Sequence, residues 1–152
     1  MNKKIGFIGC GNMARAMIAG LLDSNIAVPD SILASNSTSG KLEAARKDFG
    51  IGITSDNKAV ARFADILILS VKPNKYTEVI REIRNDVKKE AVIVTIAAGI
   101  KIKTVEAYFG KELKIVRAMP NIPAVVGEAM TALCCNGQVT EEELKSVYDI
   151  FS

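Results

Sequence analysis

In this chain short apolar runs alternate with helical patterns almost from end to end, and that alternation limits the fold more than any other feature. The runs are Ile5–Gly9, Ser31–Ala34, Ile66–Val71, Ala91–Ile96, Leu113–Ala118 and Ala129–Cys134. Stretches such as DILILSV and EAVIVTIAAG are apolar at successive positions, not at every second one. A strand reads that way when helices cover both faces of a parallel sheet. Between the runs, Met13, Met17 and Leu21 recur at helical spacing, beside Ala14, Ile18 and Leu22. Tyr76, Val79, Ile80, Ile83 and Val87 repeat the pattern, with charged residues opposite. Pro73 suits a helix start, where its missing N–H costs nothing. Thr140-Glu141-Glu142-Glu143 has the form of a capping box ahead of Leu144, Val147 and Phe151. The order predicts one α/β domain over residues 1–152, a doubly wound Rossmann-type, mostly parallel sheet with helices on both faces.

Totals narrow the function. With 152 residues, 49% of them hydrophobic, the chain can bury the core of one domain. Its net charge of +3 is spread along the sequence, and no basic tract with interleaved aromatics suggests nucleic acid. No apolar run has bilayer-spanning length, so no membrane partner is expected. Met1-Asn2-Lys3-Lys4 leads straight into a strand, without the core of a signal peptide. Three cysteines without metal-ligand spacing, and no histidine, argue against a disulfide scaffold or a metal site and for a cytoplasmic location. The missing histidine also removes any Ser-His-Asp or Cys-His machinery. No catalytic residue is expected here, and the chemistry would fall to a cofactor or to residues elsewhere.

Gly9-Cys10-Gly11-Asn12-Met13-Ala14 is G-x-G-x-x-A between a strand and a helix. In that setting the first glycine permits the turn and the second lets the backbone approach a pyrophosphate. The small Ala14 lets helix and strand pack closely. The helix N-terminus then offers free N–H groups and partial positive charge. The alternative is a turn selected for backbone shape alone. NAD-preferring sites usually carry an acidic residue at the end of the second strand. Here that end reads Ala34-Ser35-Asn36-Ser37-Thr38-Ser39-Gly40-Lys41, with hydroxyls, an amide and no carboxylate. This favours NADP(H), with Ser35 and Asn36 as the candidate contacts and NAD left open. Ser37–Ser39 also read as caps for the next helix.

Together IGFIGCGNMARAMIAGLL, TSDNKAVARFADILILSVKPNKY, VIVTIAAGI and VRAMPNIPAVVGEAMTAL resemble the pyrroline-5-carboxylate reductase family. The resemblance covers most of Met1 to Leu133. It implies NAD(P)H-dependent reduction of the C=N bond of 1-pyrroline-5-carboxylate to L-proline, the last step of proline biosynthesis. Position by position, it implies that Gly9, Cys10, Gly11, Asn12 and Met13 hold the pyrophosphate. Ser35 and Asn36 would lie at the adenosine ribose and its 2′-phosphate. Asn57 would reach the adenosine side. Ser70, Val71, Lys72 and Pro73 would pass the nicotinamide-side ribose, and Ala97, Ala98 and Gly99 would lie near the nicotinamide. Plainer readings stand beside these: Cys10 as a spacer, Asn57 as a helix cap, Lys72 as a solvated lysine, Ala98-Gly99 as a tight turn and Met119–Pro123 as a rigid extended connection.

The family continues into a helical C-terminal domain that binds the substrate carboxylate and forms the oligomer. Nothing like it is present in this sequence, and the apolar periodicity still runs at Phe151-Ser152. The chain therefore reads as the cofactor half of such an enzyme, inactive alone. Two rival readings remain: an NADP-linked oxidoreductase of the hydroxyacid-dehydrogenase type, and a non-catalytic nucleotide-binding module.

Overall fold

The structure is a computed structural model and describes residues 2–121 and 130–151. In chain order the elements are β1 (Ile5–Ile8), α1 (Asn12–Asp23), β2 (Ile32–Ser35), α2 (Ser39–Phe49), β3 (Gly52–Thr54), α3 (Asn57–Phe63) and β4 (Ile66–Leu69). They continue with α4 (Tyr76–Ile83), β5 (Val92–Thr95), α5 (Ile102–Phe109), β6 (Lys114–Asn121), β7 (Met130–Cys135) and α6 (Glu141–Phe151). The sheet runs β3-β2-β1-β4-β5-β6-β7. All neighbours pair in parallel except β7, which lies antiparallel to β6. The chain winds outward from β1 to β3, then crosses back to β4. The reversal between β1 and β4 is the switch point at which open α/β sheets bind ligands.

Both faces of the sheet are covered, as the apolar strands predict. Phe7, Ala34, Ile68, Val94 and Val116 face α1, α2 and α6, where Ala14, Ile18, Leu21, Leu42, Ala45 and Val147 are buried. Ile8, Leu67, Leu69, Ile93 and Ile115 face α3, α4 and α5, where Val60, Tyr76, Ile80, Val105 and Phe109 are buried. Each large aliphatic side chain so enclosed is worth roughly 1.5–3 kcal/mol. At Gly6 a Cβ would lie 2.7 Å from Val60 Cγ1, so the missing side chain is what lets α3 sit tight on β1. That close approach carries the start of α3 to the carboxyl end of the strands.

The structure adjusts several sequence expectations. α2 and β3 lie between the runs at Ser31–Ala34 and Ile66–Val71, and Gly52-Ile53-Thr54 is a short edge strand with one large apolar residue, too little pattern to read. α4 ends at Ile83, and the Asp86 N–H closes a turn on its carbonyl at 2.8 Å, while Val87 still packs against the core. Asn57 does not cap α3. Asp56 does, its carboxylate accepting from the Lys58 N–H at 3.0 Å. β7 begins at Met130, and Ala129 lies outside the described residues. The capping box forms as expected, with Thr140 and Glu143 exchanging bonds of 2.9 and 3.1 Å.

Candidate functional site

The strands β1, β2, β3, β4 and β5 end on one line, because Ile8 pairs with Ser35 and Leu69, Ser35 with Thr54, and Leu69 with Thr95. Every candidate cofactor contact lies at one of these ends, in the loop after it or at the start of the helix beyond it. The loop after β1 is tied to both neighbours. The Gly9 N–H donates to the Ser35 carbonyl at 2.9 Å, and the Cys10 N–H donates to Asn36 Oδ1 at 3.1 Å. On the other side the Ser70 N–H donates to the Ile8 carbonyl at 2.9 Å, and its hydroxyl donates to the Gly9 carbonyl at 2.6 Å.

Those ties leave no room at Gly9 and ample room at Gly11. Gly9 has φ +99°, and a Cβ there would meet the Ser70 carbonyl oxygen at 2.7 Å. Gly11, in extended backbone at the N-cap of α1, would present a Cβ to nothing within 4 Å. α1 has no side-chain cap and no acidic residue in its first turn. Its first N–H groups, at Asn12 and Met13, and its dipole therefore face an open space suited to an anion. Asn12 is exposed and Met13 half-buried. Cys10 points into the core and is fully buried; burial pushes its thiol pKa up, against the nearby charges of Arg15 and Lys41.

At the end of β2, Ser35 is fully buried, and its hydroxyl donates to Asn57 Oδ1 at 2.6 Å instead of facing the solvent. Asn36 takes the Cys10 N–H on its oxygen and donates to Thr38 Oγ1 at 2.9 Å. The exposed polar side chains at this rim are Ser37, Thr38, Ser39 and Lys41. Asn57 Nδ2 donates to Glu82 Oε1 at 2.8 Å. After β4, Val71 is half-buried, while Lys72 is exposed and precedes a turn begun by Pro73. After β5, Ala97 is buried, Ala98 exposed, and Gly99 takes φ +79°. Beneath this loop the fully buried Tyr76 donates its phenol to the Leu69 carbonyl at 2.7 Å. Burial pushes that phenol up to about 12, with the backbone of Ile96 and Ala97 opposing. Met119 is exposed on β6, and Ile122 and Pro123 lie outside the described residues.

A cleft of about 340 Å³ opens at the switch point, walled by Gly9, Asn36, Ser37, Asn57 and Val71 from the loops. Its far wall comes from residues that sequence reasoning left on a solvated face: Lys75, Glu78 and Glu82. Their signal was available, since Glu78 and Glu82 are four apart and opposite the buried Tyr76–Ile83 stripe, yet nothing in the sequence says which loop they face. A second cleft, about 310 Å³, lies at the opposite edge of the sheet beside the ion pairs Lys88–Asp65 and Lys114–Glu143. Its charges answer one another, and it lacks open helix N-termini. No group of side chains able to hold a metal exists among the described residues.

A family model described as "NADP oxidoreductase coenzyme F420-dependent" matches residues 4–99. This chain belongs to that family. The family's segment spans β1 to the loop after β5, and so contains every loop of the site just described. The chain is 40% identical over 151 residues to pyrroline-5-carboxylate reductase of Escherichia coli strain K12, covering 99% of this chain and 56% of that protein. Among solved structures, it is similar to a pyrroline-5-carboxylate reductase from Coxiella burnetii at TM-score 0.92 and 32% identity, covering 99% of this chain and 56% of that one. It is also similar to a Plasmodium falciparum pyrroline carboxylate reductase with NADP bound, at TM-score 0.85 and 31% identity, over 99% and 54% of the two chains. The chain thus spans about half the length of the relatives it matches.

Proposed function

We propose that this chain is the NADP(H)-binding domain of a pyrroline-5-carboxylate reductase, and that residues 1–152 form a single dinucleotide-binding unit. The observation that carries this reading is the contrast between Gly9 and Gly11 at the switch point. One glycine is closed against β4, and the other is open beside unused helix N–H groups. A pyrophosphate fits that opening, with Gly11, Asn12 and Met13 offering backbone donors and the α1 dipole favouring its charge. Asn57 lies in the cleft where the adenosine half would follow, and the exposed Ser37, Ser39 and Lys41 suit a 2′-phosphate that a carboxylate at this place would repel. Val71, Lys72, Ala97, Ala98 and Gly99 would line the nicotinamide side.

When bound, the dihydronicotinamide would supply a hydride to the carbon of the cyclic imine, whose nitrogen carries or receives a proton. The residues of this chain bind and orient: the closed packing of Gly9 on Ser70 holds the loops of β1 and β4 in one register, and the buried Tyr76 holds β4 against the loop after β5. The substrate, 1-pyrroline-5-carboxylate, the homo-oligomer and the residues binding the substrate carboxylate belong to the part of the family's length that these 152 residues do not span. A cytoplasmic setting agrees with three free cysteines, two of them exposed, and no helix among the described residues is long and apolar enough to cross a membrane.

Calorimetric titration of the chain with NADPH and NADH tests the reading. Binding of NADPH in preference to NADH, without imine reduction by this chain alone, is the expected result. Failure to bind either nucleotide would overturn it.

A further inference from the structure

We propose that Glu82 is a positioning residue, locking the side-chain amide of Asn57 so that an N–H, and not its carbonyl, is presented to the nucleotide cleft. The inference rests on the reading that this cleft takes the adenosine half of NADP(H). Three elements meet at Asn57. The Ser35 hydroxyl at the end of β2 reaches its Oδ1 at 2.6 Å, and Glu82 Oε1 on α4 accepts from its Nδ2 at 2.8 Å. Ser35 alone sets no direction, because a hydroxyl rotates to donate or to accept. A carboxylate only accepts. Glu82 therefore decides which way the amide faces: its NH2 turns to Glu82, and its oxygen is left for the buried Ser35 proton.

An amide nitrogen carries two hydrogens, and Glu82 takes one. Asn57 and Glu82 both wall the cleft, so the second hydrogen is a donor held at its surface. Of the groups an adenosine phosphate offers there, ring nitrogens and phosphate oxygens accept and ribose hydroxyls can accept. A flipped amide would set an oxygen against them. Glu82 is itself exposed and contributes nothing to the apolar core, so replacing it leaves the packing of α4 intact.

The test measures NADPH and NADH dissociation constants for the 152-residue chain and its E82Q, E82A and E82K variants. It is joined by the side-chain 1H–15N resonances of Asn57 without nucleotide. Glutamine keeps an acceptor oxygen but adds a donor NH2, so it sets the direction less firmly and is expected between the parent and alanine. Alanine is expected to weaken both nucleotides by about tenfold, the scale of one charge-assisted hydrogen bond, and by the same factor because they share that half. Lysine, a donor, turns the amide over and is expected to weaken binding more than alanine. In the free chain, the Asn57 NH2 resonances should shift on E82A and on E82K. The proposal is overturned if E82A binds like the parent, if E82Q loses more than E82A, or if E82K tightens binding through its charge. Unmoved Asn57 resonances in E82A overturn it without reference to any nucleotide. If the resonances move as expected but the parent binds neither nucleotide, the amide lock stands and the nucleotide reading of the cleft is what fails.

Discussion

Gly9 and Ser70 are packed backbone against backbone: a Cβ on Gly9 would lie 2.7 Å from the Ser70 carbonyl oxygen, while the Ser70 hydroxyl donates to the Gly9 carbonyl at 2.6 Å. The contact joins the first loop of the sheet to the strand across the switch point. It makes the glycine loop part of the fold as well as part of the site.

Gly9→Ala is therefore expected to destabilise the chain by on the order of 3 kcal/mol, combining left-handed backbone strain with the clash. Urea unfolding would read the loss directly. A change below about 1 kcal/mol would mean that the loop relaxes away from Ser70.

Gly11→Ala should behave in the opposite way. Its backbone is extended and its surroundings open, so stability should move by no more than about 1 kcal/mol, the scale of an altered N-cap. NADPH affinity should fall roughly tenfold or more, because the new methyl occupies the approach to the helix N–H groups. Equal affinity in parent and variant would remove Gly11 from the binding surface.

Tyr76 makes the stability alkaline-sensitive. Its phenol is raised to about 12 in the folded chain, above its ordinary 10.0, so its contribution is complete below pH 10. Above that the unfolded chain loses the proton first, and stability should decline at about 1.4 kcal/mol per pH unit through pH 12. Urea midpoints between pH 9 and 11.5 should show this slope in the parent and not in Tyr76→Phe. The variant should start about 1 kcal/mol lower for its lost bond to the Leu69 carbonyl.

Asp65 has the reverse dependence. Burial alone would raise its carboxyl, but the Lys4 N–H and the Lys88 ammonium, at 3.0 Å each, together bring it below the ordinary 3.8. Its stabilisation is present above that pH and lost as the pH falls through the lowered value. Asp65→Asn should accordingly flatten the acid limb of the stability profile below pH 3.8. An unchanged acid limb would assign the sensitivity to other carboxylates.

How far the chain was legible varies from residue to residue. Runs apolar on both faces announced β1, β4 and β5 because a covered parallel strand must be apolar on both sides. The start of α1 was visible because the Gly9 turn and the Gly11 opening are local demands on two residues. β3 was not visible, since a short edge strand needs few apolar residues, and α2 was legible only at its start, in the Ser37–Ser39 caps, since a helix over that strand needs only Leu42 and Ala45. Ser35 shows the limit within the site. Its place at the end of β2 was evident, yet its hydroxyl is buried on Asn57, a partner 22 positions along the chain.

By itself, then, the sequence determined what each segment must do with its own backbone and its own apolar faces: alternate strand with helix, turn tightly at Gly9, cap α6 at Thr140. Those requirements are local, and they survive in any arrangement of the segments. Only the tertiary structure decided that Ser35, Asn57 and Glu82 meet, that the outer face of α4 walls the cleft, and that Cys10 points into the core. These depend on which elements the sheet order brings together. Bonds across 22 and 25 residues leave no periodicity for a sequence to display.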